Sequence, residues 1–387
     1  MALRFFTAGE SHGPGLTAVV EGFPARVPVD IEAVNRDLKR RMQGYGRGGR
    51  MKIEQDEAEV RSGIRFGETL GSPITLWIEN RDWRNWQKKM SARAEDRDES
   101  IAVTRPRPGH ADLAGALKYD HRDVRNVLER ASARETAARV AVGGLAKALL
   151  AHFGIRVLGY VAEIGGIAAQ HDGLAIEDIF ARAEESPVRL ADAAAEQRII
   201  TLIDECKKSG DTLGGVVETV ALGLPPGLGS YVQWDRKLDA RLAFALMSVQ
   251  AAKGVEIGLG FEMARRRGSQ VHDEIAYERA GRFVRGTNRA GGTEGGMSSG
   301  EPLVVRTAFK PLATLMSPLA SVDIKTKDET RGAIERSDVV AIPAAAVIAE
   351  SVVAFVLADA LLEKFGGDSL AETQRNYQSY MEHVKAF

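Results

Sequence analysis

Residues 339–367 read VVAIPAAAVIAESVVAFVLADALLEKFGG, the most apolar run in the chain. Pro343 suits a first helical turn, and Gly366 and Gly367 suit a helix end. A membrane span needs ~20 predominantly apolar residues. Here Glu350 and Asp359 interrupt the run and alanine dominates it, so it reads as a helix buried in a core.

Working outward, alternating apolar residues predict strands at 3–7, 17–23, 51–61, 155–167, 214–222, 255–264 and 301–307. A hairpin arm and a further strand are expected within 69–80. Helices are expected at 30–41, capped by Asp30, and at 120–152, 174–196, 199–209 and 238–247, with another in the polar tail. Residues 1–387 contain no linker-like break, so a single large α/β domain with mixed or antiparallel sheets is expected. The charged stretch 81–100, with Trp83 and Trp86, reads as an exposed, flexible flap serving as a lid or subunit contact.

The chain has 387 residues, 44% hydrophobic and 27% charged, with net charge -1. It can bury a sizeable core. A general nucleic-acid coat is disfavoured, and any anion site must be local. Cys206 is the only cysteine, so no internal disulfide forms and a reducing, cytoplasmic setting is expected. The N-terminus lacks the apolar core of a signal peptide. Zinc spacings, a Walker A loop and a G-x-S-x-G elbow are all missing from the sequence. Residues 44–49 spell G-x-G-x-x-G, but they follow a predicted helix and precede a predicted strand, the reverse of a dinucleotide fingerprint.

Three Gly-rich regions carry the chemistry. His12 lies in AGESHGPG (8–15) and His110 in RPRPGHAD (105–112), short loops where an imidazole can act near neutral pH. The third is RGTNRAGGTEGGMSSG (285–300), a loop long enough to imply function. Arg41, Arg47, Arg50, Arg107, Arg130, Arg134 and Arg336 fall in or beside such loops, and arginine forks suit carboxylate and phosphate. Arg130 and Arg134, four apart in a predicted helix, would stack like charges on one face. These residues point to an enzyme for a polyanionic small molecule. A flavin oxidoreductase using NADPH, or an anion- or RNA-binding module, are the competing readings.

Together, residues 9–13 (GESHG), 44–50, 107–112, 130–139 (RASARETAAR), 291–302 and 336–338 (RSD) resemble the chorismate synthase family, in family order over essentially the whole chain. The resemblance implies a β-α-β sandwich with helices between antiparallel sheets, assembled as a homotetramer. It implies conversion of 5-enolpyruvylshikimate 3-phosphate to chorismate by anti 1,4-elimination. That reaction needs reduced FMN (FMNH2) without net redox change, and NADPH is a candidate reductant. By the same resemblance His12, His110 and Asp338 are catalytic. Arg41, Arg47, Arg50, Arg107, Ser132, Arg134 and Arg336 bind substrate, with Arg41 and Arg47 also linked to NADP. FMN falls to Arg130, Ala131, Ser132, Gln250, Ala251, Gly295, Lys310, Pro311, Leu312, Ala313, Thr314 and Arg336. Neither a metal, nor nucleic acid, nor a membrane is implied.

Overall fold

In the computed structural model, which describes residues 3–49, 53–171, 173–278, 282–335 and 337–387, the apolar run forms one helix, Ile342–Phe365. Pro343 lies in its first turn and Gly366 ends it. By length and composition this helix could cross a membrane, yet 89% of its most apolar window is buried inside the fold. It is the central helix of a core.

Two antiparallel sheets enclose it. Strands β1 (Arg4–Ala8), β2 (Gly15–Glu21), β3 (Ala58–Ser62) and β4 (Ile74–Glu79) pair in the order β1-β2-β4-β3. Strands β5 (Arg156–Ile164), β6 (Ile167–Ala168), β7 (Gly215–Leu222), β8 (Ala252–Ile257) and β9 (Leu303–Phe309) pair as β8-β9-β7-β5-β6. Burial follows the two-residue period of a strand: Leu16, Ala18 and Val20 of β2 and Ile74, Leu76 and Ile78 of β4 are buried.

Helix α1 is Ile31–Met42, with Asp30 accepting from Glu32 N as its cap. Helices α2 (Asp112–Tyr119), α3 (Arg125–Ala131) and α4 (Thr136–Ala151) follow. The first sheet packs on α4, α4 packs on α1 and the central helix, and the central helix packs on β5 and β7. The result is the expected α+β sandwich, sheet–helices–sheet, with one hydrophobic core running through all the layers.

Small residues set the spacing between layers. A Cβ at Gly143 on α4 would fall 2.3 Å from Ser351 Cβ, and one at Gly159 on β5 would fall 2.6 Å from the Ala346 carbonyl. Glycine inside a helix costs about 1 kcal/mol relative to alanine. Here the close crossing of α4 with the central helix offsets that cost.

The core also holds charge. Glu350, midway along the central helix, is 1% exposed. It accepts from Arg40 Nη1 at 2.8 Å, from Arg40 Nη2 at 3.0 Å, from the Gly159 amide at 2.9 Å and from Lys147 Nζ. Arg40 also bonds Glu184 and Asp37, and Lys147 also bonds Asp37. One carboxylate thus ties together α1, α4, the central helix and β5.

Several expected boundaries shift. The predicted 120–152 helix is broken, because Ser132 is extended (φ -63, ψ 141) and caps a new turn. Asp120 does not start it. At φ 54 it ends α2, which forms inside what reads as loop. The predicted 174–196 helix ends at Glu185, because Ser186 precedes Pro187 and takes the extended backbone that proline imposes. Asp192 then caps a new helix, Ala193–Ser209. β3 begins only at Ala58, and of the predicted strand residues 51 and 52 lie outside the described residues. The predicted strand at 255–264 stops at Ile257 and continues as a 3-10 turn.

Burial would raise the Glu350 pKa, but Lys147 and Arg40 outweigh it and hold it at about 2, against 4.5 ordinarily. The folded value lies below the unfolded one, so the stabilisation is complete above pH 4.5 and drains as pH falls towards 2. Glu350→Ala should cost about 3 kcal/mol in urea unfolding at pH 7, the low end for breaking a buried pair, since Asp37 and Glu184 still answer Arg40 and Lys147. The gap to the parent protein should narrow below pH 4.5. Equal stabilities at pH 7 would show that the ionic cluster does not hold the layers.

Candidate active site

The break at Ser132 decides where two arginines go. Arg130, at the end of α3, donates through Nη2 to Thr7 O at 2.8 Å and Thr7 Oγ1 at 2.7 Å, and through Nη1 to Gly9 O at 3.2 Å. Arg134, past the break, turns inward. Its Nε donates to Asn80 Oδ1 at 2.9 Å and its Nη1 to Asp56 Oδ1 at 2.5 Å. The stacked like-charge pair expected from their spacing therefore does not form.

Arg134 is the centre of a buried nest of guanidinium groups. Arg41, in the last turn of α1, donates to Thr136 Oγ1 at 3.0 Å and to Ala133 O at 2.9 Å, and shares Asp56 at 3.4 Å. Burial lowers the Arg41 pKa; Asp56 opposes this, while Arg134 and Arg47 add to it, leaving it at about 10. Arg47 donates to Arg41 O at 3.1 Å and pairs with Asp338 at 3.0 Å. The other Asp338 oxygen accepts from Gly48 N at 2.6 Å. Gly48 has to be small, since a Cβ there would lie 2.8 Å from Ser337 O. Two carboxylates, Asp56 and Asp338, thus answer three closely packed guanidinium groups.

His12 borders the nest. Asn80 bonds both Arg134 and the backbone of the 8–15 loop, at Glu10 O and Gly13 O. Ser132 Oγ lies 3.2 Å from Ser11 Oγ. His12 Nδ1 sits 3.0 Å from the buried Glu129 carboxylate, and its ring packs on the Trp86 indole with centroids 4.1 Å apart. Residues 81–90 are thus anchored on His12. Asp82 within them is buried, whereas most residues from 91 to 100 are exposed, as read from the charge.

The second histidine belongs to a separate cluster. His110 Nδ1 lies 2.5 Å from Asp112 Oδ1, and Arg107 bonds the same carboxylate through its backbone N and Nε. Arg107 Nη1 donates to Thr314 Oγ1 at 2.7 Å, and Lys310 Nζ donates to Gly109 O at 3.0 Å. The 310–314 segment is therefore docked on the His110 loop. Lys310 N donates to Ala251 O, and Leu312 O accepts from Thr212. Pro311 and Ala313 border Gly214 and Gly109. Gln250 donates to Glu135 at 3.1 Å, next to the arginine nest in sequence.

Most residues expected to act are thus gathered in the arginine nest, the two histidine pairs and the 250–251 and 310–314 segments. Gly295 is not visibly joined to them. It turns a separate hairpin, where a Cβ would have only Tyr231 within 4 Å. Arg50 and Arg336 lie outside the described residues. The sequence reading missed Asp56, Asn80 and Glu129, and no spacing marks them. Asp112 was visible two residues after His110 but carried no role of its own.

This fold and site define a class: an α+β protein with a buried arginine nest and two carboxylate-bound histidines, one bordering the nest and one in a separate cluster. Comparison with known proteins narrows it. The family profile described as chorismate synthase matches residues 3–362. A chorismate synthase of Geobacter sulfurreducens is 62% identical over 392 residues, covering 100% of both chains, and one of Symbiobacterium thermophilum is 63% identical over 388 residues, covering 99% of each. A crystal structure of a chorismate synthase matches with TM-score 0.81 at 45% identity, over 100% of this chain and 99% of that one. The chain belongs to the chorismate synthase family.

Gly48→Ala should force the Gly48 and Ser337–Asp338 segments apart. A loss of about 1–3 kcal/mol, typical of overpacking, is expected in urea unfolding. Unchanged stability would mean that the contact yields without strain.

Proposed function

We propose that this chain is a carbon–oxygen lyase that converts 5-enolpyruvylshikimate 3-phosphate into chorismate and phosphate by anti 1,4-elimination, the last common step towards aromatic amino acids. Membership of the family supports the reaction. The observation that carries it to particular residues is the buried nest of Arg41, Arg47 and Arg134 beside His12. The substrate bears two carboxylates and a phosphate, the groups arginine forks hold best.

Arg41, Arg47, Arg50, Arg107, Ser132, Arg134 and Arg336 hold these anionic groups. Arg41 and Arg47 also meet the nicotinamide nucleotide if NADPH serves as reductant. His12 gives a proton to the leaving phosphate. His110 supplies positive charge beside the cofactor, and Asp338 relays the departing proton.

The residues present fit FMN. Gln250 Oε1 is buried with no hydrogen-bond partner among the described residues, an acceptor suited to an imide N–H. Burial and the nearby Lys253 lower the pKa of Lys310, a cation beside the 310–314 backbone that suits an anionic cofactor. FMN would be held by residues 130–132, 250–251 and 310–314, with Gly295, on its separate hairpin, and Arg336, outside the described residues, assigned by the family resemblance alone. Reduced FMN, when bound, supplies an electron to the substrate and recovers it, so no net redox change results. A cytoplasmic homotetramer is the assembly this reading carries.

Anaerobic incubation with reduced FMN and 5-enolpyruvylshikimate 3-phosphate should yield chorismate and phosphate in equal amounts. NADPH consumed stoichiometrically with product would favour a flavin oxidoreductase instead. Folded protein without turnover would overturn the reading. His12→Ala should lower turnover by roughly 10²–10⁴, the span of lost acid–base catalysis, and His110→Ala should lower it sharply through the lost charge beside the cofactor, each with flavin affinity far less affected. Wild-type rates in either variant would remove that histidine from the mechanism. Asp338→Asn should keep substrate affinity and slow the step after phosphate loss, as read by single-turnover kinetics.

A further inference from the structure

Both histidines are attached in the same way, by elements unrelated in sequence. Glu129 lies in the last turn of α3, and its side chain is 1% exposed. Asp112 is the first residue of α2, and its side chain is 0% exposed. Each faces the Nδ1 atom of one histidine. An ionised carboxylate can only accept, so the proton between them sits on Nδ1.

Every other bond to these carboxylates also comes from a donor. Glu129 accepts from His12 N at 2.8 Å and from Arg125 Nη1 at 3.0 Å. Asp112 accepts from Arg107 N at 3.0 Å, Nε at 2.9 Å and Nη2 at 3.1 Å. Burying a carboxylate is expensive unless such donors surround it. Its placement against an imidazole in both cases points to a task beyond packing.

We infer that Glu129 and Asp112 are positioning residues that hold His12 and His110 by Nδ1 and so fix the protonation of that nitrogen and the orientation of each ring. The roles of the two histidines rest on the function proposed above; the tautomer does not. Carboxylate–imidazole pairs do this elsewhere by holding one nitrogen so that the other acts.

The surroundings fit. Among the described residues, His12 meets the Glu129 carboxylate and the Trp86 indole, while Arg125 reaches Glu129 and Lys89 lies over the same indole. Trp86 covers one side of the ring, and Arg125 lies 5.0 Å from the indole centroid, so the imidazole is clamped as well as tethered. Arg125 also reaches Glu335 at 3.0 Å. His110 faces Asp112 and Arg107, whose Nη2 lies 3.1 Å from Nδ1 and 3.4 Å from Nε2, with Lys310 held on the neighbouring Gly109. Burial raises the pKa of both carboxyl groups, but bonds from the histidines and arginines outweigh it and keep them below their ordinary range. They remain charged through neutral pH.

The isosteric variants Glu129→Gln and Asp112→Asn test this. Their amide NH2 must face one of the donors, so one bond breaks without loss of volume. Turnover should fall at least about tenfold in each, since the ring loses the carboxylate that holds Nδ1–H and steadies the charged imidazolium. KM should stay within about threefold for Glu129→Gln and rise further for Asp112→Asn, which also loosens Arg107. The charge-retaining swaps Glu129→Asp and Asp112→Glu should recover part of the loss, and they decide the matter if the amide variants do not fold. Neutron diffraction from the flavin-free parent protein should find deuterium on Nδ1 of both rings. Rings deuterated on Nε2 alone, or charge-retaining variants no better than the amides, would overturn the inference. Failure of the parent protein to make chorismate would count against the proposed activity, and the diffraction result would stand apart from it.

Discussion

A single buried carboxylate organises the helical layer. Glu350 sits in the most apolar helix of the chain, where an uncompensated charge would be ruinous. It is tolerated because Arg40 and Lys147 arrive from two other helices and a strand amide completes the set. Apolar packing alone is non-directional and would let α1, α4 and the central helix slide. The ionic cluster admits one register. Gly143 and Gly159 then let the backbones approach closely enough for these bonds to form.

The site lies where this layer meets the first sheet. The extended Ser132 matters more here than any one charged side chain. It splits the segment joining α3 to α4, sending Arg130 to β1 and Arg134 into the nest with Arg41 and Asp56. A continuous helix would have put both on one face. The break converts like-charge repulsion into two separate sets of partners.

Much of this was legible in the sequence, and the reasons differ by element. The central helix declared itself through length, alanine content and its Pro and Gly ends. The strands β2, β4 and β9 followed from alternation. The Ser132 break left no trace, because RASARETAAR is made mostly of good helix formers and its two hydroxyl residues, Ser132 and Thr136, could serve a helix interior as well as a cap. The histidines stood out because their Gly- and Pro-rich loops are unusual. Glu129 and Asp56 did not, because carboxylates are common and only folding shows which one is buried beside which cation. Trp86 read as part of an exposed flap; its contact with His12 is a tertiary fact that no local pattern encodes.

Arg40 and Arg41 are consecutive in α1, yet one completes the core cluster and the other enters the nest. The roughly 100° between successive helical residues sends them to different faces and ties the placement of one to that of the other. A chain whose layers have not locked has nowhere to place Arg41, so it offers no anion site. Conversely, an anion that binds only the locked state draws the folding equilibrium towards it by mass action. On the function proposed above, substrate supply and the lifetime of the folded chain are thereby linked, and a cell short of the ligand would hold a more perishable protein.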